Sequence, residues 1–169
     1  LDESKKCSDG ADEPCSEEEF ELGIYLYPGE DLMFKQDEDW LEWSYGRAED
    51  YDFPDSWIGR VYFVRCKTPP VCPREIRPLQ CRFYPLAPHL DEDGVLHLIL
   101  SDLETPYSCP LIAEKIELQP RFIKATYTVW KHLIRDPLIY DLVEMDSDYR
   151  IEEDKTLQYV EESLADAGI

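Results

Sequence analysis

Long hydrophobic runs are absent from this chain. No stretch approaches the roughly eighteen apolar residues of a membrane-spanning helix, and the first residues, LDESKKCSDG, hold no hydrophobic signal region. The expectation is a cytoplasmic protein. Positive charge is also scarce, with 17 Lys and Arg against 38 Asp and Glu, giving a net charge of −21 and a sequence pI near 4.3. Such a surface repels phosphate backbones and anionic headgroups, so nucleic acid and membrane are not expected as partners. A basic protein is. The sequence also lacks a Gly-rich nucleotide loop, an HExxH pair and a nucleophile elbow, which removes the most recognisable enzyme signatures. Compact C-x2-C pairs, the strongest zinc spacing, are missing too.

What is present is aromatic and thiol chemistry. Eleven Tyr, six Phe and four Trp are too many for a disordered chain despite the charge, and 169 residues suit one domain with a real core. The six cysteines are sparse for a disulfide framework, and with no export signal they read as reduced ligands. Three of them, Cys66, Cys72 and Cys81, fall within sixteen positions, in RCKTPPVCPREIRPLQCRFYP. Pro69, Pro70, Pro73 and Pro78 lack a backbone donor, so the stretch is expected to be a stiff irregular loop. Such a loop lets several thiolates converge on one point, as a zinc or iron-sulfur centre requires. Charge agrees: Arg65, Lys67, Arg74, Arg77 and Arg82 face one acid, Glu75, and positive neighbours offset the negative charge of thiolates. Arg77 and Arg82 are thereby candidates to support a bound cofactor. The same three cysteines also fit small apolar fillers or half of a disulfide set.

The run CPREIRPLQCRFYPLAP resembles the signature of the zinc- or iron-chelating family named for its CxxCxxCC motif. Its members carry a cysteine, an Arg-Pro pair, then Cys-Arg and an aromatic-Pro step. Cys72, Arg77, Pro78, Cys81, Arg82, Tyr84 and Pro85 follow that order. Cys66 stands at the family's upstream cysteine and Cys109 at its downstream one, so the likeness covers about residues 60–112. It departs at the N-terminus, where CxxCxxCC is replaced by Cys7 and Cys15 in an acidic stretch, and two of the usual eight cysteines are missing. The resemblance implies a zinc or iron-sulfur centre on Cys66, Cys72, Cys81 and Cys109, with Cys7 and Cys15 joining it or forming a second pair. Related domains occur in flagellin lysine methylases, which makes a redox or group-transfer enzyme the alternative. A third reading is an acidic interaction module with a structural metal or disulfides.

Along the chain, residues 1–19 are an acidic segment. FELGIYLY (20–27) reads as a strand ended by Pro28-Gly29, with a short helix over Glu30–Phe34. Residues 37–43 suit either a helical turn or an edge strand. The rings at Trp40, Trp43, Tyr45, Tyr51, Phe53 and Trp57 suit core packing, with a stacked aromatic pocket as the alternative. GRVYFV (59–64) is the clearest strand and leads straight into Cys66. DEDG (91–94) is a turn signal before a strand in VLHLIL (95–100). His89 and His97 flank that turn, as structural residues or as nitrogen ligands. Pro110 places Cys109 just before a helix N-terminus, where anionic sulfur is favoured. Helices are expected over 120–135, with Phe122, Ala125, Thr126, Val129, Trp130 and Leu133 on its stripe, over 137–150, with Leu138, Leu142 and Met145, and over 154–167. His132 is expected to be structural. The expected fold is α+β: one domain over 1–169, an antiparallel sheet from 20–27, 59–65 and 95–101 with the cysteine loop in 20–112, and three helices in 113–169.

Overall fold

A computed structural model describes residues 23–35, 37–67, 72–102 and 109–160. Its architecture is α+β, with two small antiparallel sheets packed through a shared pair of helices. In the first sheet β3 (Arg60–Cys66) lies between β1 (Gly23–Tyr25) and β2 (Leu41–Arg47). Val61, Tyr62, Phe63 and Val64 make β3 a natural central strand, since branched and aromatic side chains suit a pleated surface covered on both sides. Tyr62, Val64 and Cys66 point to a face shared with Leu26, Trp40, Leu41 and Trp43. Val61 points the other way, toward Ala48, Trp57 and, across the molecule, Leu138 and Leu142. Gly23 is required in β1 because the Phe63 ring occupies the place of any Cβ there. Residues 37–43, open between turn and strand on sequence, contribute the start of edge strand β2.

The second sheet is a hairpin of β4 (Leu86–Leu90) and β5 (Leu96–Leu100). Asp91 closes its turn. Its Oδ1 accepts from the backbone N–H groups of Asp93 (3.0 Å) and Val95 (2.8 Å), and Gly94 takes the positive φ of 73° that the reversal needs. The single sheet expected from 20–27, 59–65 and 95–101 is thus corrected to two. The strand at 95–101 pairs with Leu86–Leu90, a segment just after the cysteine loop for which no strand was expected. The expectation that prolines exclude a helix from residues 65–85 is corrected as well. They hold it off only as far as Pro78, and the short helix α1 (Leu79–Phe83) begins at once behind that residue.

After α2 (Pro110–Ala113), helices α3 (Pro120–Leu133) and α4 (Pro137–Glu152) both start on a proline at the first turn, where its missing N–H costs nothing. Asp136 caps α4, its carboxylate accepting from Leu138 N at 2.9 Å. The buried line of α3 is Ile123, Thr126 and Trp130, while Ala125 and Val129 are exposed, a rotation from the expected stripe. Ile139 and Val143 of α4 join Ile123 and Trp130 against Leu86, Leu90, Leu96 and Leu98 as the main core. The helix expected over 154–167 is not formed in its described part. Instead Leu100 N donates to Gln158 O (2.9 Å) and Val160 N to Leu98 O (3.0 Å), laying residues 158–160 along the outer edge of β5. Backbone pairing there outweighs the helical spacing of Leu157 and Val160. Residues 161–167 of that expected helix, and the acidic 1–19 segment, lie outside the described residues. No described helix is long and apolar enough to cross a membrane.

Trp130 is 1% exposed and meets the rings of Tyr27 and Phe83. Trp130→Ala is expected to cost about 3–5 kcal/mol of unfolding free energy in a urea titration. Val129→Ala, one residue away on the exposed side, should stay within about 0.5 kcal/mol of the parent.

Candidate metal centre

The cysteines expected to act together sit on different kinds of backbone. Cys66 ends β3, Cys72 lies just before a 3-10 turn at Arg74–Ile76, Cys81 is the middle residue of α1, and Cys109 is the N-cap of α2. No disulfide joins any two of these four. Cys7 and Cys15 lie outside the described residues. Cys66 and Cys72 both pack against the Leu26, Trp40, Leu41 and Val64 cluster, beneath the end of the first sheet.

Cys81 is close enough to both to feel them. Although Cys81 itself is exposed, its thiol is pushed up to about 11, first by loss of hydration around the sulfur, then by the charge of Cys72, with Cys66 and Glu30 adding and Arg77 opposing. Cys66 and Cys72 are thus near enough to act on Cys81. Among the described residues, no group of three or more His, Cys, Asp or Glu is arranged as a ready cage for an ion.

The two arginines singled out from the sequence have different tasks. Arg77 Nε donates to Cys72 Sγ at 3.0 Å. Arg82 turns to the backbone instead, donating to Arg77 O (2.7 Å) and to Glu75 O, so it folds residues 75–77 back onto α1. Arg65 is paired with Glu42 across the β2–β3 ladder. Much of the basic island in the sequence is thus spent on shaping the loop.

Compared with family models, curated proteins and solved structures, the chain matches none.

Sequence reading missed Glu30, the residue that holds this arrangement in place. It is 5% exposed, and its two carboxylate oxygens divide their bonds between separate parts of the fold. Oε2 accepts from Tyr27 N at 3.0 Å and Oε1 from Leu79 N at 2.6 Å, the first residue of the Cys81 helix. Burial raises its pKa, and the Leu79 and Tyr27 N–H groups together with the charge of Arg82 pull it back. The one local signal was an acid directly after Pro28-Gly29 at the end of an apolar run; nothing local indicated a partner 49 positions away.

His89 is fully buried and His97 is held by Asp91 at 2.8 Å, so neither lies with the thiols. His132 is exposed on α3. Of the aromatic residues expected to pack, Trp40 and Trp57 are buried and Phe53 stacks on Trp57 with centroids 4.8 Å apart, whereas Tyr45 and Tyr51 are exposed, Tyr51 with its ring against Tyr25. Away from the thiols, an open cleft of about 720 Å³ lies between residues 52–56 and α4, lined by Asp52, Asp55, Asp141, Glu144, Asp148 and Glu152.

Glu30→Ala strands two backbone donors, at about 1–3 kcal/mol each when they stay dry. The expected loss is about 2–4 kcal/mol in chemical denaturation. Glu30→Gln keeps one acceptor oxygen and should lose about half as much. A Glu30→Ala protein as stable as the parent would show that neither bond matters.

Proposed function

We propose that this protein binds a metal centre, zinc or an iron-sulfur cluster, through cysteine thiolates. Cys66, Cys72 and Cys81 form its nucleus, Cys109 supplies a further ligand, and Cys7 and Cys15 either join them or make a second pair. The observation that carries the reading is that Cys66 at a strand end and Cys72 in a loop lie near enough to Cys81 on its helix to add to burial in raising the pKa of that thiol. Sulfur donors of this number suit a soft or borderline metal, and the all-thiolate set serves zinc and iron-sulfur chemistry alike. Such a centre supplies structural cross-linking when it is zinc and electron transfer when it is a cluster.

The chain's own residues meet part of the need. Arg77 provides positive charge at Cys72, and Glu30 fixes the helix that carries Cys81. Loading an ion requires Cys72 to exchange the Arg77 contact for the metal and the thiols to draw together, so metal binding and ordering of this segment are linked. Use of the centre in redox or group-transfer catalysis is the further step that resemblance to flagellin lysine methylases suggests.

The deciding experiment is elemental analysis with an absorption spectrum on protein purified without oxygen. Iron with sulfide and a broad visible band identifies a cluster; zinc at about one per chain identifies a structural site. Protein with neither, under the same handling, overturns the reading. In metal-loaded protein, Cys81→Ser is expected to bring metal content well below that of the parent and to lower thermal stability, because metal binding adds to folding free energy.

A second reading rests on the acidic cleft along α4, which offers a basic protein segment several carboxylates on facing walls. Co-purification with a basic partner that weakens steeply between low and physiological salt would support it. A monomer that captures no basic partner at low salt would count against it.

A further inference from the structure

The second sheet holds a group of charges that the metal reading does not use. His89 on β4 stands directly opposite His97 on β5, is 1% exposed, and its Nδ1 has no hydrogen-bond partner among the described residues. Charged groups face it from every packed element. From α4 comes Arg150, itself 8% exposed, which donates to Asp102 (3.1 Å) and to the carbonyl of Pro88 beside His89 (3.4 Å). Asp146, one turn earlier on α4, acts on Arg150 in turn. From the hairpin come His97 and Asp91, held together at 2.8 Å. Asp102 follows β5, and Lys155 reaches it at 3.3 Å. The remaining wall is the ring of Tyr159, edge-on to His89 and to His97 with centroids 6.0 and 5.5 Å away.

We propose that residues 155–160 are an acid-released latch, in which protonation of His89 frees this segment from the outer edge of β5 while the rest of the fold stays closed. A proton on His89 places a second cation next to Arg150 in a dry pocket. Water must then enter or a wall must move. The wall that can move is the Tyr159 segment, whose ring is 51% exposed; among the described residues two backbone hydrogen bonds join it to β5, with the packing of Val160 on the core and the exposed Lys155–Asp102 pair beside them. The other walls are a hairpin and a sixteen-residue helix.

The sign follows from the direction of the shift. Burial first, then the charges of Arg150 and His97, hold the His89 pKa below its ordinary 6.5, against the smaller pull of Asp91 and Asp102. The closed latch thus binds fewer protons than the open one, and its stability is fully present above about pH 6.5 and is lost as pH falls toward the closed-state value. In that window the open population grows by up to about tenfold per pH unit, the limit for one proton.

The test is NMR on the full-length chain from about pH 7.5 to 5, following histidine ring nitrogens together with amide exchange corrected for its intrinsic pH dependence. The expected result is that the Leu100 and Val160 amides lose protection in step with His89 titration, while the β2–β3 amides keep theirs. His89→Phe should abolish the pH dependence, and His97→Gln should retain it. If that Phe variant does not fold, the wild-type titration alone decides. Loss of protection that spreads equally to the first sheet would mean global acid unfolding and overturn the latch. So would Leu100 and Val160 protection that is unchanged while His89 takes up its proton. Metal content does not enter either outcome.

Discussion

A carboxylate buried among apolar residues must be answered with hydrogen bonds, and the way Glu30 is answered sets the geometry of everything around the thiols. Taking it out of water disfavours its charge, as its raised pKa records. Two N–H donors, from Tyr27 and Leu79, offset that cost, and Arg82 adds positive charge. One donor belongs to the end of the first-strand segment and the other to the start of α1. The same acid therefore ties the sheet that ends in Cys66 to the helix that presents Cys81. Because ionisation is harder in the folded state, Glu30 subtracts stability as pH rises past its unfolded value. Its two backbone bonds fix where α1 begins, and its ionisation gives back only part of what they contribute.

Helix α4 performs the corresponding task for the two sheets. Leu138 and Leu142 reach the Ala48, Trp57 and Val61 cluster, and Leu138 O accepts from Trp57 Nε1 at 2.8 Å. The next residue after each, Ile139 and Val143, enters the core of the hairpin on the neighbouring face, and Ser147 Oγ accepts from Leu90 N at 2.9 Å. An apolar surface that wraps around more than one side of a helix has little net direction, and a single-stripe reading of Leu138, Leu142 and Met145 captures only one of its contacts.

The sequence was informative where a signal is local. GRVYFV supplied β3 nearly to the residue, Asp-Glu-Asp-Gly supplied the hairpin turn, and Pro110, Pro120 and Pro137 marked helix starts. It misled where pairing decides. The β4 strand LAPHL contains a proline and a histidine and lacks the branched alternation of a typical strand, so only its partner Leu96–Leu100 reveals it. Residues 154–160 have helical spacing, but an unpaired β5 edge nearby offers backbone hydrogen bonds that a frayed helical turn cannot match. In the cysteine segment the crowding of thiols was legible, and Cys66 and Cys72 do act on Cys81, but no three ligands stand together as a cage among the described residues. Glu30 was not legible, because a capping acid is recognised by the N–H groups it meets, and those lie in other parts of the chain.

The division of charge follows from the same constraints. With 38 acids and 17 basic residues, each cation has many possible partners on the surface, and exposed pairs contribute little. The cations that do matter are those removed from that competition. Arg150 is buried against Asp102 and the Pro88 carbonyl, Arg82 is turned onto the backbone of residues 75–77, and Arg77 rests on a sulfur. Burial pushes Asp102 up, but the charge and hydrogen bond of Arg150, with Lys155, overcome it and leave its pKa lowered. Its contribution is therefore present at neutral pH and lost only in strong acid. The histidine beside it responds nearer neutrality and in the same direction, so the hairpin end of the molecule weakens on acidification in two separate steps. The first of them falls on His89, whose ring meets the partly exposed Tyr159 on the segment laid along β5.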